Sequence, residues 1–108
     1  MIDIPQPKSK IPPHATCVHK GIIFDVYQWQ QQLYDGTTTT FELLRRPNTV
    51  MVLATEGDNL LLARQEQPGK GVYYDYLGGR AEPGEEPLQT AQRELLEESG
   101  MASDDWML

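Results

Sequence analysis

Hydrophobic and polar positions follow a period of two along most of this chain and change to a helical period once, near the end. Ile22, Phe24 and Val26 alternate with other residues and lead into Tyr27 and Trp29, which predicts a strand over 22–33. Asp35-Gly36 is a hairpin signal of the two-residue kind, and the threonine-rich run 37–45 predicts the returning strand. A shorter β-branched segment, 15–20, precedes them. Pro47 breaks the pattern, and the uninterrupted apolar run 49–54 predicts a central, buried strand. Glu56-Gly57-Asp58-Asn59 turns the chain, so 60–65 is expected to return as a second hairpin. After a loop at 67–71, the tyrosine-rich run 72–77 is expected as a strand that ends at Gly78-Gly79. Leu88, Ala91 and Leu95 recur at helical spacing and predict a helix over 87–99. Pro87 suits its first turn, Glu85 and Glu86 its positive end, and Gly100 its C-terminal stop. The last residues, 104–108, read as the start of a further strand. Pro5, Pro7, Pro12 and Pro13 mark 1–13 as an extended, poorly ordered arm.

With 108 residues the chain makes one domain at most. It contains no apolar run of transmembrane length, and its first residues have neither the basic start nor the apolar stretch of a signal peptide. The single cysteine, Cys17, cannot close an internal disulfide and is expected to be a buried or half-buried thiol in a reducing cytoplasm. His14 and His19 are expected at the surface, and Trp29 and Trp106 in the core or at an interface. Net charge is -7 and lies almost wholly in the second half, where 79–101 has six glutamates against two arginines. Such a surface repels nucleic-acid backbones and anionic membranes, so no partner of either kind is expected. An anionic small molecule is a plausible ligand only together with metal ions.

The helix concentrates that charge. At about 100° per residue, Glu94, Glu97 and Glu98 fall within an arc of roughly 100° that flanks the Leu88/Ala91/Leu95 stripe. Carboxylates so placed repel one another by a few tenths of a kcal/mol, on the order of each exposed helical pair. A cation removes that penalty, and oxygen ligands without histidine or cysteine favour Mg2+ or Mn2+ over zinc. Taken alone, Arg93-Glu94-Leu95-Leu96-Glu97-Glu98 also suits a solvated acidic helix face. Gly79 and Glu85 at fixed distances upstream change that balance.

Together, Gly79, Glu85, Arg93, Glu94, Leu95, Glu97, Glu98, Gly100 and Met101 spell G-x5-E-x7-R-E-L-x-E-E-x-G-M, which resembles the Nudix box at every defined position. A looser likeness extends over about residues 20–108. Through 41–47, 60–65 and Gln67-Pro68-Gly69 it resembles the ADP-ribose pyrophosphatase branch of that family. The resemblance implies an α+β fold, a Nudix-type α/β/α sandwich with a mixed β-sheet, over 14–108. In it, 15–45 would supply N-terminal antiparallel strands and 78–101 the loop and helix of the site. It implies a metal-dependent pyrophosphohydrolase that splits the diphosphate of a nucleoside diphosphate linked to X, with ADP-ribose or a nucleotide sugar as the expected substrate. Glu94, Glu97 and Glu98 would be the metal-binding and catalytic carboxylates, with the backbone carbonyl of Gly78 as a further ligand. A glutamate, of the box or of a later loop, would take the proton from the attacking water. Arg93 and Glu85 would pair to hold loop against helix, while Gly79, Gly84 and Gly100 shape the backbone. Arg45, Arg46, Arg64 and Glu66 are candidate substrate contacts. Tyr73, Tyr74 and Tyr76 are expected in core packing or a dimer contact. The fold so implied continues past Leu108 with more strands and a second helix, so its C-terminal part is expected to be missing from this chain. Two further expectations follow: a homodimer through 15–45, and, as the alternative function, a truncated or impaired module that binds nucleotide or a protein partner.

Overall fold

The structure, a computed structural model, describes residues 9–108. They divide into two compact units, 9–47 and 48–108, each with its own architecture. Of the N-terminal arm expected over 1–13, residues 1–8 lie outside the described residues.

The first unit is a three-stranded antiparallel sheet in the order β1-β2-β3, formed by β1 (Thr16–Lys20), β2 (Asp25–Gln32) and β3 (Thr38–Arg45). β2 and β3 pair without interruption from Asp25 opposite Arg45 to Gln32 opposite Thr38. The hairpin is present, with a three-residue loop in place of the expected two. Leu33 N–H donates to Thr37 C=O at 2.7 Å, and Tyr34, Asp35 and Gly36 make the turn. Gly36 takes the left-handed position (φ 86) that such loops need at their end. The Asp35 carboxylate accepts from both the hydroxyl and the N–H of Thr37, which holds its pKa below the ordinary value.

The strand expected from Ile22 begins at Asp25, because Gly21 N–H donates to Phe24 C=O and closes a turn across Ile22-Ile23. Trp29 is buried and meets Phe41 edge-on at 5.8 Å. Phe24, Leu43 and Leu44 remain substantially exposed. His14 and His19 are exposed, as expected; Cys17 is exposed too, against the expectation of a covered thiol. A single-layer sheet offers no second layer to cover it.

The second unit contains six strands and one helix: β4 (Thr49–Val52), β5 (Thr55–Glu56), β6 (Asn59–Leu60), β7 (Ala63–Gln67), β8 (Gly71–Asp75), β9 (Leu77–Arg80) and α1 (Pro87–Ser99). Here the pairing departs from the pattern. The run 60–65 does not return along 49–54. It divides into β6, which closes a short hairpin with β5, and β7, which pairs with β8. The partner of β4 is β9, antiparallel, with Met51 opposite Gly78. Gly78-Gly79 therefore continues a strand where the sequence suggested a stop. The β7–β8 turn is of type II: Lys70 N–H donates to Gln67 C=O at 3.0 Å, with Pro68 second and Gly69 (φ 79) third. Residues 104–108 form no strand.

The core of this unit is Val52, Leu77 and Leu95, with Val50, Ala54, Leu61, Ala63, Ala91 and Trp106 packed around it. Trp106 anchors its indole by donating to Ser103 C=O at 2.7 Å. The strand expected to be central has one partner, β9, and is covered on one face, since Val52 is buried while Met51 and Leu53 are open. α1 occupies the span expected of it. Gln89 accepts from the Glu86 N–H at its start, and Gly100 (φ 73) closes its end by donating to Leu96 C=O. Because Leu95 joins helix to both strands of the β4–β9 pair, Leu95→Ala is expected to lower stability by about 2–5 kcal/mol in urea unfolding. A loss below about 1 kcal/mol would show that this contact does not hold the unit together.

Candidate active site

The site is built where β9 runs out into the 81–86 loop and α1 returns past it. The approach is close because of two glycines. Gly78 has φ 143, and a Cβ there would fall on the backbone carbonyl of Val50. At Gly79 a Cβ would fall on the carboxylate of Glu94. The strand thus leaves, at Gly79, a cradle that the Glu94 side chain fills.

Arg93 organises the rest. Its Nε donates to Glu85 Oε2 at 2.8 Å, and Nη2 donates to Glu85 Oε1 and to Arg80 C=O, both at 2.9 Å. Nη1 donates to Glu94 Oε1 at 3.1 Å and to Glu97 Oε2 at 3.2 Å. A guanidinium has five N–H groups, and each has an acceptor. Among the described residues these are the ion pairs of the chain. Glu85 is equally occupied: besides Arg93 it accepts from Thr90 Oγ1 at 2.7 Å and from Glu82 N–H at 3.1 Å. The Arg93 bonds first, then the Thr90 hydroxyl and the Glu82 N–H, lower the Glu85 pKa to about 2, and Glu85 in turn raises that of Arg93.

Glu98 differs. Its Oε1 accepts from Gly78 N–H at 3.2 Å. Desolvation raises its pKa; the Gly78 N–H opposes this, while Glu94 and Glu97 push upward with it. The three box carboxylates therefore separate into roles. Glu94 and Glu98 act on one another beside Gly78, and Glu97, more than half exposed, is drawn to Arg93. Among the described residues no group of three or more His, Cys, Asp and Glu side chains converges as a metal site. The donor chemistry fits a hard divalent cation nonetheless: oxygen only, with two neighbouring carboxylates, one of them raised in pKa, and a backbone left bare of Cβ. Glu94 and Glu98 are the residues that would hold it.

The other expected site residues each have their own local surroundings. Arg64 and Glu66 project from β7, opposite Tyr74 and Val72. Glu66 borders an open depression of about 510 Å³ with Gln67, Pro68, Gly69 and Gly71. Tyr74 is well exposed, while Tyr73 donates to Gln65 at 3.0 Å under the Lys70 ammonium. Arg45 and Arg46 belong to the 9–47 unit, where they lie over the rings of Tyr27 and Phe24 at 5.9 and 5.7 Å. Gly100 caps the helix. Sequence reasoning missed Thr90, the one fully buried side chain among the described residues, and the Arg80 carbonyl. The signal for Thr90 was available: Thr90, Arg93, Glu94 and Glu97 share one helix face at i, i+3, i+4 and i+7.

Known proteins give this geometry its family. The NUDIX domain matches residues 44–107, and the chain belongs to the Nudix family. It is 33% identical over 85 residues to the ADP-ribose pyrophosphatase of Bacillus subtilis, covering 77% of this chain and 46% of that protein. It is 47% identical over 88 residues to the NAD-capped RNA hydrolase NudC of Stutzerimonas stutzeri, covering 82% and 32%. A crystal structure of an ADP compounds hydrolase superposes with a TM-score of 0.67 at 24% identity, over 91% of this chain and 57% of that one, and so shares the fold. The chain spans between about a third and a half of the length of these curated relatives.

The Glu85–Arg93 pair makes a pH prediction. A carboxyl whose folded pKa lies near 2, below its ordinary 4.5, contributes stability that is complete above about 4.5 and is lost as pH falls toward 2. Acid titration followed by circular dichroism is expected to show wild type losing stability across that window and Glu85→Gln losing less. Parallel acid curves would remove Glu85 as the source.

Proposed function

We propose that this chain carries the metal-binding and catalytic carboxylates of a hydrolase that splits the diphosphate of a nucleoside diphosphate linked to X, with ADP-ribose or a nucleotide sugar as substrate. The observation that supports it most directly is the Glu94/Glu98 pair, set beside bare glycine backbone and braced by Arg93. The resemblance to an ADP-ribose pyrophosphatase supports the substrate class. Mg2+ or Mn2+ would be held by Glu94 and Glu98, with Glu97 beside them and the Gly78 carbonyl as the further ligand the resemblance implies. Such an ion, when bound, neutralises phosphate charge and acidifies a coordinated water. The protein's own part is to fix the carboxylates, to keep Glu97 within reach through Arg93, and to take up a proton at a glutamate. Arg45, Arg46, Arg64 and Glu66 remain proposed substrate contacts.

A second substrate class comes from the relative named for NAD-capped RNA. The net charge of -7 favours the nucleotide end over the RNA as the part this chain would hold. The other reading is a module that binds nucleotide or a protein partner without hydrolysis. A panel of ADP-ribose, NAD, nucleotide sugars and NAD-capped RNA, assayed with and without Mg2+, separates these readings. Hydrolysis of ADP-ribose that needs Mg2+ and falls on the order of a hundredfold or more in Glu98→Gln is expected. Nucleotide binding without turnover would favour the module instead.

We further place the domain at 14–108, in the cytoplasm, with a second copy meeting strands 15–45. The exposed Phe24, Phe41, Leu43 and Leu44 support that contact. Light scattering is expected to give twice the chain mass, and monomers at tens of micromolar would refute the dimer.

A further inference from the structure

We infer that Thr90 is a positioning residue for the metal-binding carboxylates; the inference deepens the proposed hydrolase reading. Thr90 is fully buried, and its hydroxyl has one proton for two acceptors. Glu85 Oε1 lies at 2.7 Å and the Glu86 carbonyl at 3.2 Å. The shorter contact is to the ionised group and has the length of a charge-assisted O–H···O bond. The proton therefore goes to Glu85.

What Glu85 does next is fixed by geometry. Its two oxygens receive the Arg93 fork side by side, so the plane of the guanidinium follows the plane of the carboxylate. The far edge of that guanidinium, Nη1, holds Glu94 and Glu97. A hydroxyl inside the domain is thus connected through Glu85 and Arg93, three hydrogen bonds in sequence, to Glu94 and Glu97 and touches neither of them. The Glu82 N–H also reaches Glu85 Oε1, but on a loop and at 3.1 Å. Thr90 is the donor on the rigid helix, in register with the residues it serves. Removing its hydroxyl leaves the Glu82 N–H of the loop as the one remaining donor beside the Arg93 fork, so the Glu85 carboxylate is held less firmly against rotation about its last bond, and the fork turns with it.

The test uses the whole 108-residue chain and Mn2+ as the probe. Thr90→Val keeps the shape and removes the donor; Thr90→Ser keeps the donor. Mn2+ affinity measured by electron paramagnetic resonance is expected to weaken about tenfold in Thr90→Val, as for other groups that orient ligands, and to stay within about threefold of wild type in Thr90→Ser. Should Thr90→Val fail to fold, Thr90→Ala against Thr90→Ser makes the same comparison, since the two differ by the hydroxyl alone. Equal affinities with and without the hydroxyl overturn the inference. A metal-free readout keeps it separate from the function proposed above. The Arg93 Nε–H resonance is expected to be sharp and slow to exchange in wild type and Thr90→Ser, and broadened in the variant lacking the hydroxyl. If wild type binds no Mn2+, the hydrolase reading falls, and an unchanged Arg93 signal across the variants would still overturn the role of Thr90.

Discussion

The bidentate pair between Arg93 and Glu85 is the constraint on which the rest of the site depends. It ties together three pieces of chain at one point: the end of β9 through the Arg80 carbonyl, the 81–86 loop through Glu85, and α1 itself. It does so in the most acidic part of the chain, where six glutamates share 79–101 with two arginines. A lysine could not replace it. An ammonium is a point charge with three donors, whereas this position uses five in a planar fork, two of them matched to one carboxylate. The saturation of both partners is what makes the loop a defined object. Glu85 accepts on both oxygens, Arg93 donates from every N–H, and neither keeps a free direction in which to turn.

The glycines before the helix do a different job from the one their position in the sequence suggests. A Gly-Gly pair after an apolar run looks like the end of a strand. Here both residues stay in the ladder with β4, and what they contribute is the absence of a side chain. Gly78 lets the backbone come against Val50, and Gly79 leaves its Cβ space to the Glu94 carboxylate. Only Gly78 of the two also needs the left-handed region. The geometry around the carboxylates thus begins in a strand pairing and is completed by a helix. That is why the helix carboxylates cannot be understood from α1 alone.

Local features were legible and long-range ones were not. The span of α1 follows from Pro87, the Leu88/Ala91/Leu95 stripe and Gly100, all within one segment, and the structure reproduces it. The Asp35-Gly36 hairpin is equally local, apart from one loop residue. The pairing of β4 with β9 was hidden because its cause is remote in sequence: Val50 and Val52 face a core completed by Leu77 and Leu95. Periodicity reports which face is apolar, not which partner covers it, so 60–65 read plausibly as the neighbour of 49–54. In the site, the spacing of the box identified Glu85, Arg93 and the carboxylates. It said nothing of Thr90, because a threonine in a helix is chemically ordinary until a loop closes over it. The arginines 45 and 46 lie far from the box in sequence, and their described contacts are aromatic rings of their own unit.

The distribution of positive charge argues for where a cation belongs. Glu94 and Glu97 each have Arg93 at about hydrogen-bond distance. Among the described residues Glu98 has a neutral partner, the Gly78 N–H. It is also the one box carboxylate whose pKa is pushed upward, by desolvation and by the two acids beside it. A carboxylate partly withdrawn from water and repelled by its neighbours is costly wherever it stands, unless a positive charge comes with it. Arg93 has no N–H left to give. A divalent ion, if held by Glu94 and Glu98, would supply that charge and stabilise the ionised form of both. The arrangement is a rigid brace on the Glu94 and Glu97 carboxylates, with Glu98 left to a neutral donor among the described residues.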